Sequence, residues 1–379
     1  MTILTEEQSL ISETAAKFTA DMLRPNSARW EEERTLDRSV LEALGELGFG
    51  GIYLNEDLGG SGLSRFDAVL IFEQLSKGDI SHATFLSIHN MAGAMIDKFA
   101  SEELRQHYIP KFASCELIAS YCLTEPGSGS DAASLRTRAV RDGDDYVLNG
   151  SKMFISGAGF SDVYVVMART SDEGARGIST FIVEKGTEGL SFGKKEEKMG
   201  WHAQPTAVVS FDNCRIPATN RVGNEGDGFK YAMAGLDGGR LNISACSLGG
   251  AQAALNQTLT YMGERRAFGK AIDQFQALQF RLADMEIELQ AARTFLRQAA
   301  WKLDQGAPDA TKFCAMAKKF VTEAGSKVVD QCLQLHGGYG YLADYGIEKL
   351  VRDLRVHQVL EGTNEIMRMI VARHMLANR

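Results

Sequence analysis

Residues 359–365 read Val-Leu-Glu-Gly-Thr-Asn-Glu, and Glu361 among them has the surroundings expected of a general base. Two apolar residues precede Glu361. A carboxylate in apolar surroundings loses solvation, so its pKa should rise toward the range useful for taking a proton. Gly362 carries no side chain, so a ligand can come close to the backbone there. The alternative is an ordinary loop glutamate ahead of a helix.

A second stretch, residues 121–131, has the composition of a phosphate-binding loop. Gly-Ser-Gly-Ser-Asp-Ala at 127–132 matches the Gly-x-Gly-x-x-Ala dinucleotide fingerprint, and residues 118–123 suit the preceding strand. A nicotinamide site also needs a helix directly afterwards, but residues 141–144 mark a turn and strand-type residues follow. We therefore predict a loop that presents backbone N–H groups and the Ser130 hydroxyl to a ligand. A glycine-rich turn without a ligand is the alternative.

Composition bounds the class of protein. The 379 residues carry a net charge of −8 and no basic cluster, which gives no support to nucleic-acid binding. No apolar run is long enough to span a bilayer. The first seven residues lack the apolar run of a signal peptide and the arginines of a transit peptide. We expect a bacterial cytoplasmic protein, or a mature protein of the mitochondrial matrix if the chain is eukaryotic.

Cysteine and histidine usage indicates no metal site. The six cysteines are scattered without Cys-x-x-Cys spacing, which predicts reduced thiols in the core. The seven histidines show no metal-ligand spacing. His82 and His89 are seven residues apart and suit one helix face, but nothing acidic completes a site.

Two helical blocks must position these residues. In residues 1–118, Thr5–Gln8 and Ser64–Asp67 have the pattern of capping boxes that begin helices. In residues 226–379, an apolar stripe at helical spacing predicts long helices, one of which should end at Gly337 and Gly338. Long helices with short connections favour an antiparallel bundle.

The block between them, residues 119–225, has a different period. Its β-type runs are short, and turn residues such as Asp142-Gly143 and Asn149-Gly150 separate them. This spacing predicts a small barrel or sandwich. We therefore expect three domains, residues 1–118, 119–225 and 226–379.

Three motifs resemble those of the acyl-CoA dehydrogenases. Residues 121–131, Tyr-Cys-Leu-Thr-Glu-Pro-Gly-Ser-Gly-Ser-Asp, resemble the flavin-binding signature of that family. Residues 334–341, Gln-Leu-His-Gly-Gly-Tyr-Gly-Tyr, resemble its second signature, and Glu361 falls where the family has its catalytic glutamate. The motifs occur in the family's order and spacing, and the similarity extends over nearly the whole chain.

The resemblance implies an α+β fold with an N-terminal helical domain, a central small β-barrel or sandwich and a C-terminal antiparallel four-helix bundle. It also implies FAD held between the subunits of a homotetramer. The implied FAD contacts are Tyr121, Leu123, Thr124, Gly129, Ser130, Phe154, Ile155, Ser156, Arg265, Phe268, Gln276, Gln334, Gly337, Gly338, Thr363 and Glu365. The family often has tryptophan at the position of Phe154. Arg265 would meet the pyrophosphate from a neighbouring subunit; a helix-surface arginine is the alternative.

The implied reaction takes the α-proton from an acyl-CoA thioester while the β-hydrogen leaves as hydride to the flavin. An electron-transfer flavoprotein would then accept the electrons. Glu361 is the implied base, because the position at which one subgroup carries its glutamate is Gly239 here. The implied substrate contacts are Ser130, Asp237, Arg240, Gly362 and Arg373.

Residues 199–206, 238–243 and 343–345 are similar to short branched-chain members of the family, which favours isobutyryl-CoA, oxidised to methacrylyl-CoA. Asp237 stands where that subgroup has asparagine, so 2-methylbutyryl-CoA or a short straight-chain acyl-CoA stays open. An acyl-CoA oxidase and a catalytically silent scaffold homologue are further alternatives. The chain length argues against the oxidase, and the retained Glu361 argues against the scaffold.

Overall fold

The computed structural model describes residues 4–377. The expectation that no leader is present rests partly on residues 1–3, which lie outside the described residues. The N-terminal part of the chain is helical, as its periodicity predicts. Its helices are α1 (Glu6–Phe18), α2 (Ser27–Glu33), α3 (Arg38–Glu46), α4 (Arg65–Leu75), α5 (Ile80–Phe99) and α6 (Glu102–Ala113).

Two of these helices begin at the predicted capping boxes. Thr5 accepts a hydrogen bond from the Gln8 backbone N–H, and the Gln8 side chain accepts one from the Thr5 N–H in return. Ser64 and Asp67 make the same reciprocal pair ahead of α4. Each pair satisfies donors that the helix cannot pair internally. Both predictions are confirmed.

The middle part of the chain forms one eight-stranded sheet. Its strands are β1 (Ala119–Cys122), β2 (Arg138–Asp142), β3 (Asp145–Ser156), β4 (Val163–Arg169), β5 (Ile178–Glu184), β6 (Leu190–Phe192), β7 (Thr206–Pro217) and β8 (Arg221–Val222). The strand order is β6-β7-β3-β2-β4-β5-β8, and β1 pairs in parallel with β4. Only a single 3-10 turn, Ala132–Ser134, lies between the glycine-rich loop and β2. The turn and strands predicted after the loop follow it, in place of the helix that a nicotinamide site needs.

One turn prediction is wrong. Asp142 and Asp145 close the β2–β3 hairpin as expected, but Asn149 and Gly150 lie inside β3. The register against β7 shifts between Leu148 and Gly150, so the pair forms an irregularity within one strand. Gly150 has a φ of 142° there, and an added Cβ would lie 2.7 Å from the Thr137 Cα. The glycine therefore permits close strand contact, and a second hairpin is not formed.

The C-terminal part returns to helices. They are α7 (Gly228–Glu264), α8 (Gln276–Asp304), α9 (Ala310–His336), α10 (Ile347–Arg355) and α11 (Asn364–Ala377), with a small hairpin of β9 (Arg266–Ala267) and β10 (Lys270–Ala271) after α7. As predicted, α9 ends at Gly337. The apolar stripes of α7, α8 and α9 are buried against one another, which gives the α+β fold with a C-terminal helical bundle.

A buried charge cluster ties the three parts together. The Asp353 carboxylate on α10 accepts hydrogen bonds from the Trp201 backbone N–H at 2.6 Å and from Lys349 Nζ at 2.7 Å. Lys349 Nζ also lies 3.6 Å from the carboxylate of Asp79, which precedes α5. Both carboxylates lie beside the Lys349 ammonium and hold its pKa above its usual value against the effect of burial. This cluster fixes α10, and with it the segment that leads to Glu361.

The structure was searched for membrane-spanning helices and for clusters of metal-binding side chains. Among residues 4–377, no helix is long and apolar enough to cross a membrane. The same described residues contain no group of three or more His, Cys, Asp or Glu side chains placed to hold a metal ion. All six cysteines are buried free thiols, as their scattered spacing predicts.

Candidate active site

One oxygen of the Glu361 carboxylate is buried without a hydrogen-bond partner among the described residues. Its residue is only partly buried as a whole, but Oε2 is fully buried and unpaired among the described residues. Burial raises the pKa of Glu361 to about 7, while the nearby positive charges of Arg240 and Lys318 oppose that rise. A carboxylate with such a pKa can hold or release a proton near neutral pH.

The backbone at Glu361 is unusual. Glu361 has a φ of 56° and Gly362 a φ of 87°, so two consecutive residues are left-handed. The left-handed conformation costs a non-glycine residue roughly 1–2 kcal/mol. Thr363 then ends the turn as N-cap of α11, and its Oγ1 accepts from the Ile366 N–H at 3.3 Å. The predicted helix start is confirmed.

Gly239 of α7 makes room for this carboxylate. A Cβ added at Gly239 would lie 2.6 Å from Glu361 Oε2 and 2.9 Å from its carboxyl carbon. Real Cβ atoms do not approach other atoms this closely, so any side chain at position 239 would displace the carboxylate. The Glu361 carboxylate can therefore occupy this position only because residue 239 is a glycine.

Asp237 and Arg240, predicted as substrate contacts, lie next to this turn. Arg240 is buried, donates from Nη1 to Asp237 Oδ1 at 2.6 Å, and donates from Nε to the Glu361 carbonyl oxygen at 3.4 Å. Asp237 also accepts from the Thr311 hydroxyl. Arg373 is exposed on α11, twelve residues beyond Glu361. Contact of any of these residues with substrate stays a prediction.

The glycine-rich loop 121–131 is anchored from beneath by a buried ion pair. Lys152 of β3 is fully buried and donates to Glu125 Oε1 at 2.7 Å and to the Leu123 carbonyl oxygen at 3.2 Å. Glu125 also accepts from the backbone N–H groups of Arg136 and Thr137. A Cβ added at Gly129 would meet nothing within 4 Å, so its backbone faces open space. The loop is therefore held rigidly while Gly129 and Ser130 stay exposed.

Strand β3 presents three further predicted contacts beside this loop. Phe154 has a φ of 59° and is 60% exposed, although it lies inside a strand. Ile155 is buried, and the Ser156 carbonyl oxygen accepts from the Ser120 hydroxyl at 2.6 Å. A left-handed backbone conformation is costly for a phenylalanine and is typical of functional sites. Phe154 therefore stays a candidate ligand contact.

Tyr121, Leu123 and Thr124 lead from β1 into the loop. The Tyr121 hydroxyl is buried without a partner among the described residues, and the Glu361 charge acts on it. Burial, together with that charge, holds the pKa of Tyr121 well above its usual value. Two unpaired buried oxygens, one on Tyr121 and one on Glu361, indicate a place where a polar ligand is expected.

A second group of predicted contacts lies at the end of α9. Arg265 joins Gln334, Gly337 and Gly338 around a cavity of about 530 Å³. Added Cβ atoms at Gly337 and Gly338 would meet nothing within 4 Å, and the Arg265 guanidinium lies 5.2 Å from the Tyr339 ring centre. Arg265 is not on a helix surface, because α7 ends before it. The structure thus brings these four residues together.

Three of the predicted FAD contacts lie on the surface, away from the glycine-rich loop. Phe268, on the turn of the β9–β10 hairpin, is 95% exposed. Gln276 is exposed at the first turn of α8, and Glu365 is exposed in the first turn of α11, where it pairs with Arg368. Within one subunit, none of the three has a described contact with the glycine-rich loop. Their part in cofactor binding stays a prediction.

Family models for known proteins match nearly the whole chain. Family models described as acyl-CoA dehydrogenase N-terminal, middle and C-terminal domains match residues 5–116, 120–214 and 226–376. The chain belongs to the acyl-CoA dehydrogenase family. It is therefore an FAD-dependent oxidoreductase, as the resemblance of its motifs implied.

Individual proteins resemble the chain over nearly its whole length. The mitochondrial isobutyryl-CoA dehydrogenase of Dictyostelium discoideum is 52% identical over 373 residues, which cover 98% of this chain and 90% of that protein. Butyryl-CoA dehydrogenase from Megasphaera elsdenii has a TM-score of 0.96 at 36% identity, covering 99% of this chain and 100% of that one. The FAD complex of PigA has a TM-score of 0.95 at 32% identity and covers both chains fully.

The residues of this acyl-CoA dehydrogenase fit FAD. The open backbone at Gly129 and the exposed Phe154 ring suit the flavin end, because a flat ring needs close backbone approach and an apolar neighbour. The cavity lined by Arg265, Gly337 and Gly338 suits a phosphate-bearing end, since arginine binds phosphate through two hydrogen bonds.

Sequence reasoning missed one residue of the site. Lys318 of α9 is fully buried and hydrogen-bonds the turn after Glu361. Its signal was present, because Lys318 interrupts an apolar series, Cys314, Val321 and Gly325, at helical spacing. A lysine on the buried face of a helix needs a partner there.

Proposed function

We propose that this enzyme oxidises the Cα–Cβ bond of a short branched acyl-CoA, isobutyryl-CoA first, with Glu361 as the base. The observation that carries the proposal is the buried, unpaired Glu361 Oε2 packed on Gly239 in a chain of this family. The 52% identity to a relative named isobutyryl-CoA dehydrogenase supports the choice of substrate.

In this mechanism the ionised Glu361 takes the α-proton of the thioester. Burial makes that carboxylate a stronger base than an exposed glutamate, because its charged form is poorly solvated. Among residues 4–377 the Glu361 backbone N–H has no backbone acceptor. It would donate to the thioester oxygen and so stabilise the developing enolate. FAD, when bound, supplies the acceptor for the β-hydrogen and its electron pair.

We also propose an oligomeric state and an electron acceptor for this enzyme. The enzyme forms a homotetramer and passes its electrons to an electron-transfer flavoprotein. The Phe268 side chain is 95% exposed in a single subunit. This exposure supports a cofactor site that a neighbouring subunit completes, because Phe268 could then contact the cofactor of that subunit. Three domains, residues 1–118, 119–225 and 226–379, build each subunit. The compartment is the cytoplasm for a bacterial chain and the mitochondrial matrix for a eukaryotic one.

An anaerobic titration with a series of thioesters tests the function. Flavin bleaching would be followed with isobutyryl-, 2-methylbutyryl-, butyryl- and octanoyl-CoA. Steady-state turnover of the same thioesters with an added electron acceptor would give kcat/KM, which should be highest for isobutyryl-CoA. One methylene more or less should change kcat/KM by about 10–200-fold. A preference for octanoyl-CoA would refute the substrate assignment. In a separate assay in air, steady peroxide release without any other acceptor would indicate an oxidase, because oxygen would then be taking the electrons. A protein that cannot take up FAD would indicate a scaffold.

The rate of flavin reduction should depend on pH through Glu361. Because the base must be ionised and its pKa is about 7, the rate should rise as pH increases through about 7 and then level off. Stopped-flow reduction at saturating isobutyryl-CoA measures this midpoint. A rate that is flat from pH 5 to pH 9 would show that Glu361 does not limit the proton transfer.

Replacing Arg265 with alanine should weaken FAD retention. A charge-assisted phosphate contact contributes roughly 1.5–3 kcal/mol, so the FAD dissociation constant should rise about 10–150-fold. Ultrafiltration of the yellow protein followed by FAD titration measures the change. Arg266→Ala is the matched control, because Arg266 is the adjacent residue, is exposed like Arg265, and does not line the cavity. Equal affinity in both variants would remove Arg265 from the cofactor site.

A further inference from the structure

The turn that carries Glu361 is fastened by a buried lysine. Lys318 Nζ donates to the Gly362 carbonyl oxygen at 2.8 Å and to Asn364 Oδ1 at 3.0 Å. Lys318 is 0% exposed, and Asn364, the first residue of α11, is 3% exposed. Asn364 also exchanges hydrogen bonds with the Thr322 hydroxyl one turn further along α9. The lysine therefore holds both the turn and the start of α11 against α9.

Arg240 provides a second fastening on the same turn. Its Nε donates to the Glu361 carbonyl oxygen at 3.4 Å, and its other contact, Asp237, holds the guanidinium in place. Two consecutive carbonyl groups, those of Glu361 and Gly362, thus accept from two buried cations. Carbonyl groups in a left-handed turn have no regular backbone partner, so side-chain donors must supply one.

We propose that Lys318 is a positioning residue for the proton-transfer step, which orients the Glu361 turn through Gly362 and supplies a facing positive charge. This inference rests on the proposed role of Glu361 as base. It assigns Lys318 no contact with substrate or cofactor.

Several charged and titratable groups surround Lys318 and Glu361. They are Tyr121 on β1, Asp237 and Arg240 on α7, Glu323 on α9, His357 after α10, and Glu365 on α11. Burial lowers the pKa of Lys318 to about 8, and the negative charges of Glu361, Glu365 and Glu323 limit that fall. Burial also lowers the pKa of His357 to about 3, so His357 is neutral at working pH.

The two roles of Lys318 predict different effects. Loss of its hydrogen bonds should loosen the turn and lower the rate at every pH. Loss of its charge should raise the pKa of Glu361, because an opposite charge nearby stabilises the ionised carboxylate. The rate would then fall most at low pH and recover as pH rises, which a purely structural lysine would not produce.

Three substitutions separate these effects. Lys318→Arg keeps the charge, Lys318→Gln keeps a donor without the charge, and Lys318→Met removes both. Lys327→Met is the matched control, since Lys327 lies on the same helix with its side chain 66% exposed and paired to Glu288. For each variant, the rate of flavin reduction by saturating isobutyryl-CoA would be measured across pH, with KM recorded separately.

We expect Lys318→Gln to shift the acidic midpoint upward by about one pH unit, which lowers the rate at pH 6 about tenfold. Near pH 9 its rate should approach that of the wild type, in which Lys318 is itself losing its proton. Lys318→Met should show the same shift and a lower plateau, and Lys318→Arg should keep the wild-type midpoint. Should Lys318→Met fail to accumulate with FAD, Lys318→Gln and Lys318→Arg still give the comparison.

Failure of this inference is distinguishable from failure of the proposed function. If Glu361→Gln abolishes the reaction while Lys318→Gln keeps the wild-type midpoint and plateau, the base stands and the role of Lys318 is refuted. If Glu361→Gln reacts at the wild-type rate, the base assignment itself is wrong. A midpoint shift of equal size in Lys327→Met would also overturn the inference.

Discussion

Replacing Glu361 with glutamine should slow flavin reduction by isobutyryl-CoA about 10²–10⁴-fold, because glutamine has nearly the same size but cannot take the α-proton. The amide leaves the Gly239 contact and the left-handed turn in place, so FAD content and acyl-CoA binding should be unchanged. Rapid-mixing absorbance under anaerobic conditions measures the rate, and the flavin spectrum confirms that the variant is loaded.

Glu286→Gln is the control for this experiment. Glu286 is exposed on α8 and accepts a hydrogen bond from the Gln290 side chain on the same helix. It should react as the wild type does. Were Glu361→Gln to reduce its flavin at the wild-type rate, another residue would have to be the base, and the proposed mechanism would fall with it.

Gly239→Ala should lower the same rate by about 10²-fold, the cost expected when a reacting group is misplaced by about 1 Å. The added methyl would lie 2.6 Å from Glu361 Oε2, so the carboxylate must move. The fold should survive, because alanine is favoured over glycine inside a helix by roughly 1 kcal/mol. The variant should be well folded and yellow, with its loss confined to the chemical step.

Gly235→Ala supplies a matched control on the same helix. The atoms nearest to an added Cβ at Gly235 would be those of the flexible Met91 and Met95 side chains, at 3.4 Å, which is an ordinary van der Waals distance. Its rate should stay near that of the wild type, and its thermal stability should not fall. Equal rates for Gly239→Ala and the wild type would mean that the carboxylate tolerates displacement or is not the base.

Features encoded in neighbouring residues could be predicted from the sequence. The capping boxes at Thr5 and Ser64, the hairpin after Asp142 and the end of α9 at Gly337 each depend on a few adjacent residues. Glu361 could be singled out because its own flanks are apolar. The family motifs supplied the rest of the fold class, since long-range order cannot be derived from local periodicity.

Features created by contact between distant segments could not be predicted. Asn149-Gly150 has the composition of a turn, but the pairing of β3 with β7 absorbs it as an irregularity. The packing of Glu361 on Gly239 joins residues 122 positions apart. The family resemblance links the two positions as alternative places for the base, but no local pattern predicts that they are in contact. Lys318 likewise finds its partners, Gly362 and Asn364, on a different segment.

The buried Glu361 carboxylate also sets a cost on the fold. Its pKa is about 7 in the folded protein against 4.5 for an exposed glutamate, so the folded chain retains a proton that the unfolded chain releases. This contribution to stability is complete below about pH 4.5 and is lost as pH rises through about 7, a total of about 3 kcal/mol. Lys318 acts in the opposite direction, because its lowered pKa restores stability only above about 8. Between those values both groups are ionised, so this pair of side chains stabilises the protein least in the pH interval in which it is best able to react.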